Sequence, residues 1–598
     1  MRLATFHGPN PYSGERLVLA DMTVDETAAS RSDAIIEEIG RLSASWYGEN
    51  EAPGIEDPSE ALVDFMLRWS LAALNWMQGF LELYGYRKIG TGRFRIWVAF
   101  HDPGVTNSAL ALAVRLANRA EQGRVDAAEL ENMLGRLWDA CKLRHPDTSD
   151  HIVMMGARAL DLPVTQAWNT MQMWQYGWGA RSEVIGSAAT NRDGYASGMV
   201  IARKNRTKNA LRGLGLPVPP GVLVRTDKDI ENAVEEIGFP CVVKPIDLAK
   251  GKGISANLKT IDEVRSAVRY AQSQTSLRVM IEAFIAGDDH RLLMAGGQLA
   301  VAVRRLPPAV IGDGKHTIRE LTDALNIGRV HPDTLSLDRF PAVRLDENAV
   351  QHLKNQGLTP ETVLPTGQEV TLRSIANIST GGSTDDVTAK VHPDIRQACE
   401  MIARTLQVNV AGFDYMTTDI SRSWREVPGA FIELNLTPAL IAFTLAGWPA
   451  AEAGKLILSE QTGRIPLNLI VIPDDSLEEA ETRLANLPGG TSAGWASQGK
   501  ACIGTLPLIV ESGPPWSGIR TLLAHRTVER ATVLATSEQI QVHGLPVDRA
   551  DRIWNCDHTL RGEWREVLDR SSKSPVQVVA WSILSDELAT SQGTYPAG

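Results

Sequence analysis

The feature that most restricts how this chain can fold is an alternation of short strands and helices through its middle. VLV reads as a strand, DKDIENAVEEIG as a helix, PCVVKP as a strand, and IDLAKGKGIS as a loop. TIDEVRSAVRYAQS then reads as a helix, followed by the strands RVMIEAFI and HRLLMAGGQLAVAVRRL. Upstream, the helix RKNRTKNALRGLG stops at Gly215, and Pro217, Pro219 and Pro220 lead into VLV. Strands and helices joined by loops this short predict an α/β or α+β architecture. At 598 residues the chain exceeds what one core serves, so a multidomain α/β and α+β protein is expected.

Three regions follow from the changes in character. Residues 1–165 read as an α+β domain, with helical SRSDAIIEEIGRLSASWYG and ALVDFMLRWSLAALNWMQGFLELYG, the strand RFRIWVAFHDPG, and helical SALALAVRLANRAEQG. His101 and Asp102 stand at that strand's end, where the turn at Pro103-Gly104 accounts for them as well as chemistry does. Residues 166–461 carry the alternation, together with a long stretch, 305–395, that is rich in Gly, Asp and Thr and reads as irregular. Residues 462–598 open on the apolar strand PLNLIVI and read as a small α/β unit.

Composition excludes several classes. With 43% hydrophobic and 22% charged residues the chain is that of an ordinary globular protein. A formal charge of −11 and the absence of a basic run argue against nucleic acid as a partner. Five scattered cysteines with no CxxC pair suit a reducing compartment. The beginning of the chain lacks the pattern of a secretory leader, and ALIAFTLAGWPAAEAGKLIL, the longest apolar run, is broken by Gly447, Pro449 and Glu452. A cytoplasmic protein that does not cross a membrane is expected.

The residues with chemical potential are spread along the middle region. In FIELNLTP, Glu433 and Asn435 are two apart on one strand, so they share a face and need a partner there. If this strand pairs with GFDYM around the SRSWREVPG turn, Asp414 joins them. Such hard oxygens suit Mg²⁺ that takes its other ligands from phosphate, although a backbone-satisfied Asn beside an edge Glu explains the pair equally well. Lys244 ends the strand VVKP and is followed by Gly251 and Gly253, whose small size lets backbone N–H groups approach a phosphate. A plain surface turn is the competing reading, and no GxxxxGK[ST] loop occurs in the chain. Lys204 is a second cation, on a helix where basic residues are commonly only solvated. Glu282, Phe284 and Ile285 lie where an exposed backbone stretch can read adenine, with Asp288 or Asp289 near a ribose. Arg291, Arg305 and Arg373 are separate cations for a transferring phosphate, and the loop 376–386, with the Asn377 amide, suits an anion or acyl phosphate.

The order of these features resembles the ATP-grasp ligase superfamily, and within it the cyanophycin synthetases. GDGKHTIREL, LRSIANISTGGSTDDVTAKVHPD and IARKNRTKNALRGLGLPVPPG carry the likeness strongly over residues 165–450, and RIWVAFHDPGVTNSALALAVRLA carries it more faintly. The resemblance implies ATP and Mg²⁺ as cofactors and an ADP-forming carboxylate–amine ligase that works through an acyl phosphate. It implies Lys204 and Lys244 on the nucleotide phosphates under a closing loop, 250–255, with Lys250, Gly251 and Gly253. Glu282, Phe284 and Ile285 would hold adenine, Asp289 and Arg291 would complete the nucleotide site, and Asp414, Glu433 and Asn435 would hold metal. Arg373, with Arg305 and Asn377, would steady the acyl phosphate. Amino acids or short peptides are the implied substrates, and a homo-oligomer is implied.

The likeness breaks in two places. Where those relatives continue into a Mur-ligase-like module with a P-loop, this chain has Ile472, Pro473, Asp474 and Asp475, so 462–598 reads as a shortened remnant without ATP binding of that kind. Ala439 stands where the family's E-x-N-x-x-P motif continues with glycine. One ligase site makes one kind of amide bond, so a smaller product, or one step of two, is expected. The alternative is a pseudoenzyme or scaffold subunit that regulates a partner ligase.

Overall fold

The computed structural model describes residues 2–47, 54–76, 79–168, 172–248, 253–331, 336–486 and 490–584. The chain forms two compact units, each assembled from separate stretches. One comprises residues 1–147, 161–184 and 460–598, and the other residues 148–160 and 185–459. Both mix helices with sheets, as the alternation predicts; the described strand pairs of the second unit are antiparallel, and the first unit has parallel pairs as well. No described helix is long and apolar enough to cross a membrane.

In the first unit an antiparallel sheet runs in the order Arg2–Phe6, Leu17–Thr23, Arg93–Ala99, Tyr84–Gly90. Phe94, Ile96 and Val98 alternate inward along one strand and are fully buried. They pack against helices Ser32–Tyr47, Pro58–Trp76 and Pro103–Glu121. Asp102 turns out to be a helix cap: its carboxylate accepts from Val105 N at 3.0 Å, with Pro103 in the first turn. His101 bonds the Gly79 carbonyl at 2.7 Å through Nε2.

The second sheet of this unit has seven strands, and Leu467–Ile472 lies inside it between Arg530–Thr536 and Arg552–Asn555, parallel to both. Leu467, Leu469 and Val471 pack into one core and Ile470 and Ile472 into another, on the opposite face. A strand covered on both faces reads as a continuous apolar run, and LNLIVI is such a run. It ends in Pro473 and the acidic turn Asp474–Ser476, which has neither glycines nor a cation to cradle a phosphate.

The second unit contains two antiparallel sheets that matter for function. A four-stranded sheet is ordered Ser255–Leu258, Cys241–Pro245, Val279–Ala283, Gly221–Val224. Helices Asp227–Ile237 and Ile261–Gln274 cover it, each started by a Thr capping box. A five-stranded sheet is ordered Ser383–Asp386, Gln298–Leu306, Asp288–Ala295, Ala411–Thr417, Gly429–Asn435. Helix Pro393–Thr405 packs on one of its faces through Ile395, Ala398, Cys399 and Ile402.

The stretch 305–395 is more ordered than its composition suggests. Ala309–Ile311 pairs with Glu369–Thr371, and helices Ile318–Leu325 and Glu347–Asn355 close a small core of Val310, Ile318, Leu353, Leu364 and Val370. Its glycines and aspartates are turns and caps of short elements. Thr317 and Glu320 form a capping box, and Asp346 caps the next helix.

Candidate functional site

The five-stranded sheet builds one face of charged residues by register alone. Arg291 is opposite Asp414, and Asp414 is opposite Glu433, so three neighbouring strands present one row of side chains. Asn435 lies two residues beyond Glu433, on the same strand face, and is opposite Gly412. The expected hairpin of GFDYM with FIELNLTP is thus present, with a bulge between the Asp414 and Tyr415 pairings. Gly412 is needed there: a Cβ would lie 2.6 Å from Arg291 Nη1, which crosses directly over it.

Two arginines bracket Asp414. Arg291 Nε is 3.0 Å from Asp414 Oδ1 and Arg305 Nη2 is 3.3 Å from Oδ2, while Arg305 also holds Asp289 at 2.6 Å. Arg305 is protonated more firmly than usual because Asp414 and Asp289 outweigh the burial that would lower its pKa. Asp289 is shifted upward, first by burial and then by the nearby Asp414 charge, against the pull of Arg305. Asp414 Oδ1 is buried and, despite the approach of Arg291, has no hydrogen bond of good geometry among the described residues. Among the described residues no three His, Cys, Asp or Glu side chains converge on one point, so the oxygen set here is two carboxylates and an amide. Such a set, with one buried carboxylate oxygen still lacking a hydrogen bond, fits a hard cation that shares its remaining coordination positions with phosphate oxygens.

A second buried charge cluster lies at the four-stranded sheet. Glu282 bonds the ammoniums of both Lys244, at 2.8 Å, and Lys208, and all three side chains are under 5% exposed. Burial would raise the Glu282 carboxyl, but the two ammoniums overcome this and hold it below its ordinary range. Lys208 is pushed down to about 7 by burial and then by the neighbouring Lys244 charge. Lys208 is the residue that the sequence reading missed. It lies one helical turn from Lys204 on Lys204–Gly213, and that i, i+4 spacing on one face was the available signal. Lys204 donates to the Leu248 carbonyl and lies 3.5 Å from Glu433, so it links the lysine helix to the oxygen row.

The other candidates fall as follows. Phe284 and Ile285 occupy the part-exposed link between the two sheets, where Phe284 N donates to the Pro240 carbonyl. From Ile285 to Gly287, among the described residues, no backbone N–H reaches a backbone acceptor. Gly253 has φ of +75° and packs where a Cβ would meet Pro245 Cγ at 2.8 Å, a position only glycine takes without strain. Lys250 and Gly251 lie outside the described residues. Arg373 is paired away from the arginine row, with Asp346 at 2.7 Å and the Arg344 carbonyl at 3.0 Å. Asn377 opens the adjoining loop, where its carbonyl accepts from Thr380 N and Gly382 N.

Two antiparallel sheets thus carry the buried lysines and the Arg–Asp–Glu row. The chain carries an ATP-grasp domain: the model of that family matches residues 209–290, the segment from the lysine helix to the start of the five-stranded sheet. Beyond it, the chain is similar to cyanophycin synthetases. That of Trichormus variabilis is 28% identical over 581 residues, 92% of this chain and 63% of the relative. That of Crocosphaera subtropica is 30% identical over 482 residues, 77% of this chain and 54% of the relative. The chain therefore spans between about half and two thirds of the length of these curated relatives. The glutathione biosynthesis bifunctional protein of Streptococcus thermophilus is 32% identical over 271 residues, 43% of this chain and 34% of the relative.

Proposed function

We propose that the protein is an ATP-dependent carboxylate–amine ligase that forms an amide or peptide bond on an amino acid or short peptide through an acyl phosphate. The observation that carries this reading is the Arg291–Asp414–Glu433 row, with Asn435 and Arg305 beside it, on the same unit as the buried Lys208–Glu282–Lys244 cluster. The likeness to cyanophycin synthetases and to a glutathione biosynthesis protein supports it.

In this reading a substrate carboxylate oxygen attacks the γ-phosphorus of ATP, the bond to the β-bridging oxygen breaks, and ADP leaves. The amine nitrogen then attacks the acyl carbon, inorganic phosphate departs, and the nitrogen loses a proton. The protein's part is positioning and charge neutralisation, with no covalent enzyme intermediate. Lys244 and Lys204 face the nucleotide phosphates, the link 285–287 offers to adenine backbone N–H groups that reach no backbone acceptor among the described residues, and Asp289 serves the ribose. Arg291 and Arg305 neutralise the transferring phosphoryl oxygens, a role that their rigid pairing with Asp414 and Asp289 suits. Arg373 and Asn377 serve the acyl phosphate once Asp346 releases Arg373. Asp414, Glu433 and Asn435 are the residues that would hold Mg²⁺, which when bound supplies charge neutralisation of the phosphate oxygens.

The test is a matrix of amino acids and dipeptides incubated with the purified chain and Mg-ATP, scored by ADP and phosphate release, with products read by mass. An amine-dependent ADP signal with a matching amide product is expected. Glu433→Ala should lose at least about 100-fold in rate. Because Glu433 is part-exposed and its described ion pair is the 3.5 Å contact with Lys204, that variant should keep its thermal midpoint. An unchanged rate in Glu433→Ala would overturn the assignment.

A further inference from the structure

In a chain of formal charge −11, the first unit gathers two arginines and two histidines at one point, where among the described residues no carboxylate forms an ion pair with either arginine. Arg520, on helix Ser517–Ala524, places Nη2 3.1 Å from His7 Nδ1, at the end of the first strand. The His7 ring lies edge-on to Phe100 at 5.7 Å, and the Arg16 guanidinium lies over the same Phe100 at 5.9 Å. His543 joins the group through its backbone, because His7 N donates to the His543 carbonyl at 2.8 Å. Its ring meets Trp516 edge-on at 6.1 Å. Among the described residues neither Arg16 nor Arg520 has a carboxylate within ion-pair distance. The acid that acts on Arg16 is its exposed chain neighbour Glu15.

Such an arrangement is costly when empty. Two guanidiniums close to each other repel, and a cation partly withdrawn from water without a carboxylate partner is expensive. Burial, followed by the charges of Arg520, Arg16 and His543, pushes His7 down to about 3. Burial and then the Arg16 charge bring even Arg520 down to about 10. His7 is therefore neutral at any working pH. Since its Nδ1 accepts from Arg520, its remaining hydrogen is on Nε2 and available to donate. His7, Arg16, Arg520 and His543 are all part-exposed, so a solute can reach them. Strained positive clusters that keep access to solvent are a mark of binding sites.

We propose that His7, Arg16 and Arg520, with His543 at the edge, form a binding site for the carboxylate or phosphate group of a small molecule, independent of the ligase site in the other unit. Two guanidinium forks and an imidazole N–H supply donors for at least two oxygens of one anion. The anion replaces the missing carboxylates, so binding fastens the first strand to helix Ser517–Ala524 and stabilises the unit. This inference does not rest on the ligase reading.

The experiment uses the full chain in a buffer free of multivalent anions. Inorganic phosphate and succinate are titrated separately, each against sodium chloride at matched ionic strength. Thermal unfolding is recorded together with the ¹H–¹⁵N signals of the histidine rings. Saturable stabilisation is expected, with a shift of the His7 Nε2 signal, and the tighter-binding probe tells whether the group is a phosphate or a carboxylate. Arg520→Met and Arg16→Met should each weaken that binding at least tenfold while raising the thermal midpoint of the anion-free protein, because each removes an unbalanced cation. Amine-dependent ADP release should be retained in both, which separates this site from the ligase site. If neither probe shifts the His7 signal beyond the chloride control, the proposal is overturned without recourse to variants. It is equally overturned if both variants lower the anion-free midpoint while the wild type shows no anion-dependent gain.

Discussion

Lys208→Met tests the buried lysine cluster in the most direct way. Lys208 has a side chain only 3% exposed and shares Glu282 with Lys244, so two ammoniums face one carboxylate. Its pKa lies at about 7 instead of the ordinary 10.5. Each tenfold change in proton affinity is worth about 1.4 kcal/mol, so holding Lys208 charged in this setting costs roughly 5 kcal/mol relative to the unfolded chain. The folded value is the lower one. Between about pH 7 and about pH 10.5 the unfolded chain therefore holds a proton that the folded chain has released, and stability rises with pH across that window. The rise should amount to roughly 2–3 kcal/mol between about pH 7.5 and about pH 9.5. Methionine fills much the same volume without charge, and Glu282 keeps Lys244 as its partner at 2.8 Å. Lys208→Met should therefore stabilise the protein at neutral pH by about 1–4 kcal/mol and flatten its pH dependence above pH 7, while ligase activity falls. Urea unfolding of wild type and variant at several pH values measures both effects. A variant destabilised at pH 7, or one that keeps the wild-type pH slope, would refute the view that Lys208 is a strained cation held for function.

Two further substitutions test how close approaches build the second unit. Gly412→Ala puts a methyl 2.6 Å from Arg291 Nη1, the mobile end of a side chain, so the fold should survive with a loss below about 1 kcal/mol. The Arg291–Asp414 contact should not survive, and ADP release should fall about tenfold or more with the thermal midpoint only slightly lowered. Gly156→Ala is the opposite case. Its Cβ would lie 2.4 Å from the Gly454 carbonyl carbon and from Lys455 N, which are backbone atoms of a packed helix that cannot move aside alone. A loss of roughly 1–3 kcal/mol or more is expected by calorimetry, and an unchanged midpoint would mean that the two helices do not approach this closely.

Legibility differed sharply between local and distant relations. HTIREL contains a capping box that needs only residues three apart, and LNLIVI signals by composition a strand covered on both faces. Glu433 and Asn435 could be placed on one face from their spacing alone. The stretch 305–395 was harder to read because its elements are short, and turn residues outnumber the apolar positions that form its small core. Lys208 was legible in principle from its spacing to Lys204, but a basic residue on a polar helix gives no sign that it is buried until Glu282 is brought against it.

By itself, then, the sequence determined the kind of element along the strand–helix alternation of the middle region, the shared face of Glu433 and Asn435, and the loss of any glycine loop after Ile472. These follow from backbone geometry over a few residues. Only the tertiary structure decided that Asp414 faces Glu433 on one side and Arg291 on the other. Only it could pair Arg373 with Asp346, or bring His7 and Arg520 together across 513 residues. Strand register and long-range pairing are settled by which arrangement buries the most apolar surface while leaving the fewest buried charges unpaired. That balance is struck over the whole chain and is written in no single stretch of it.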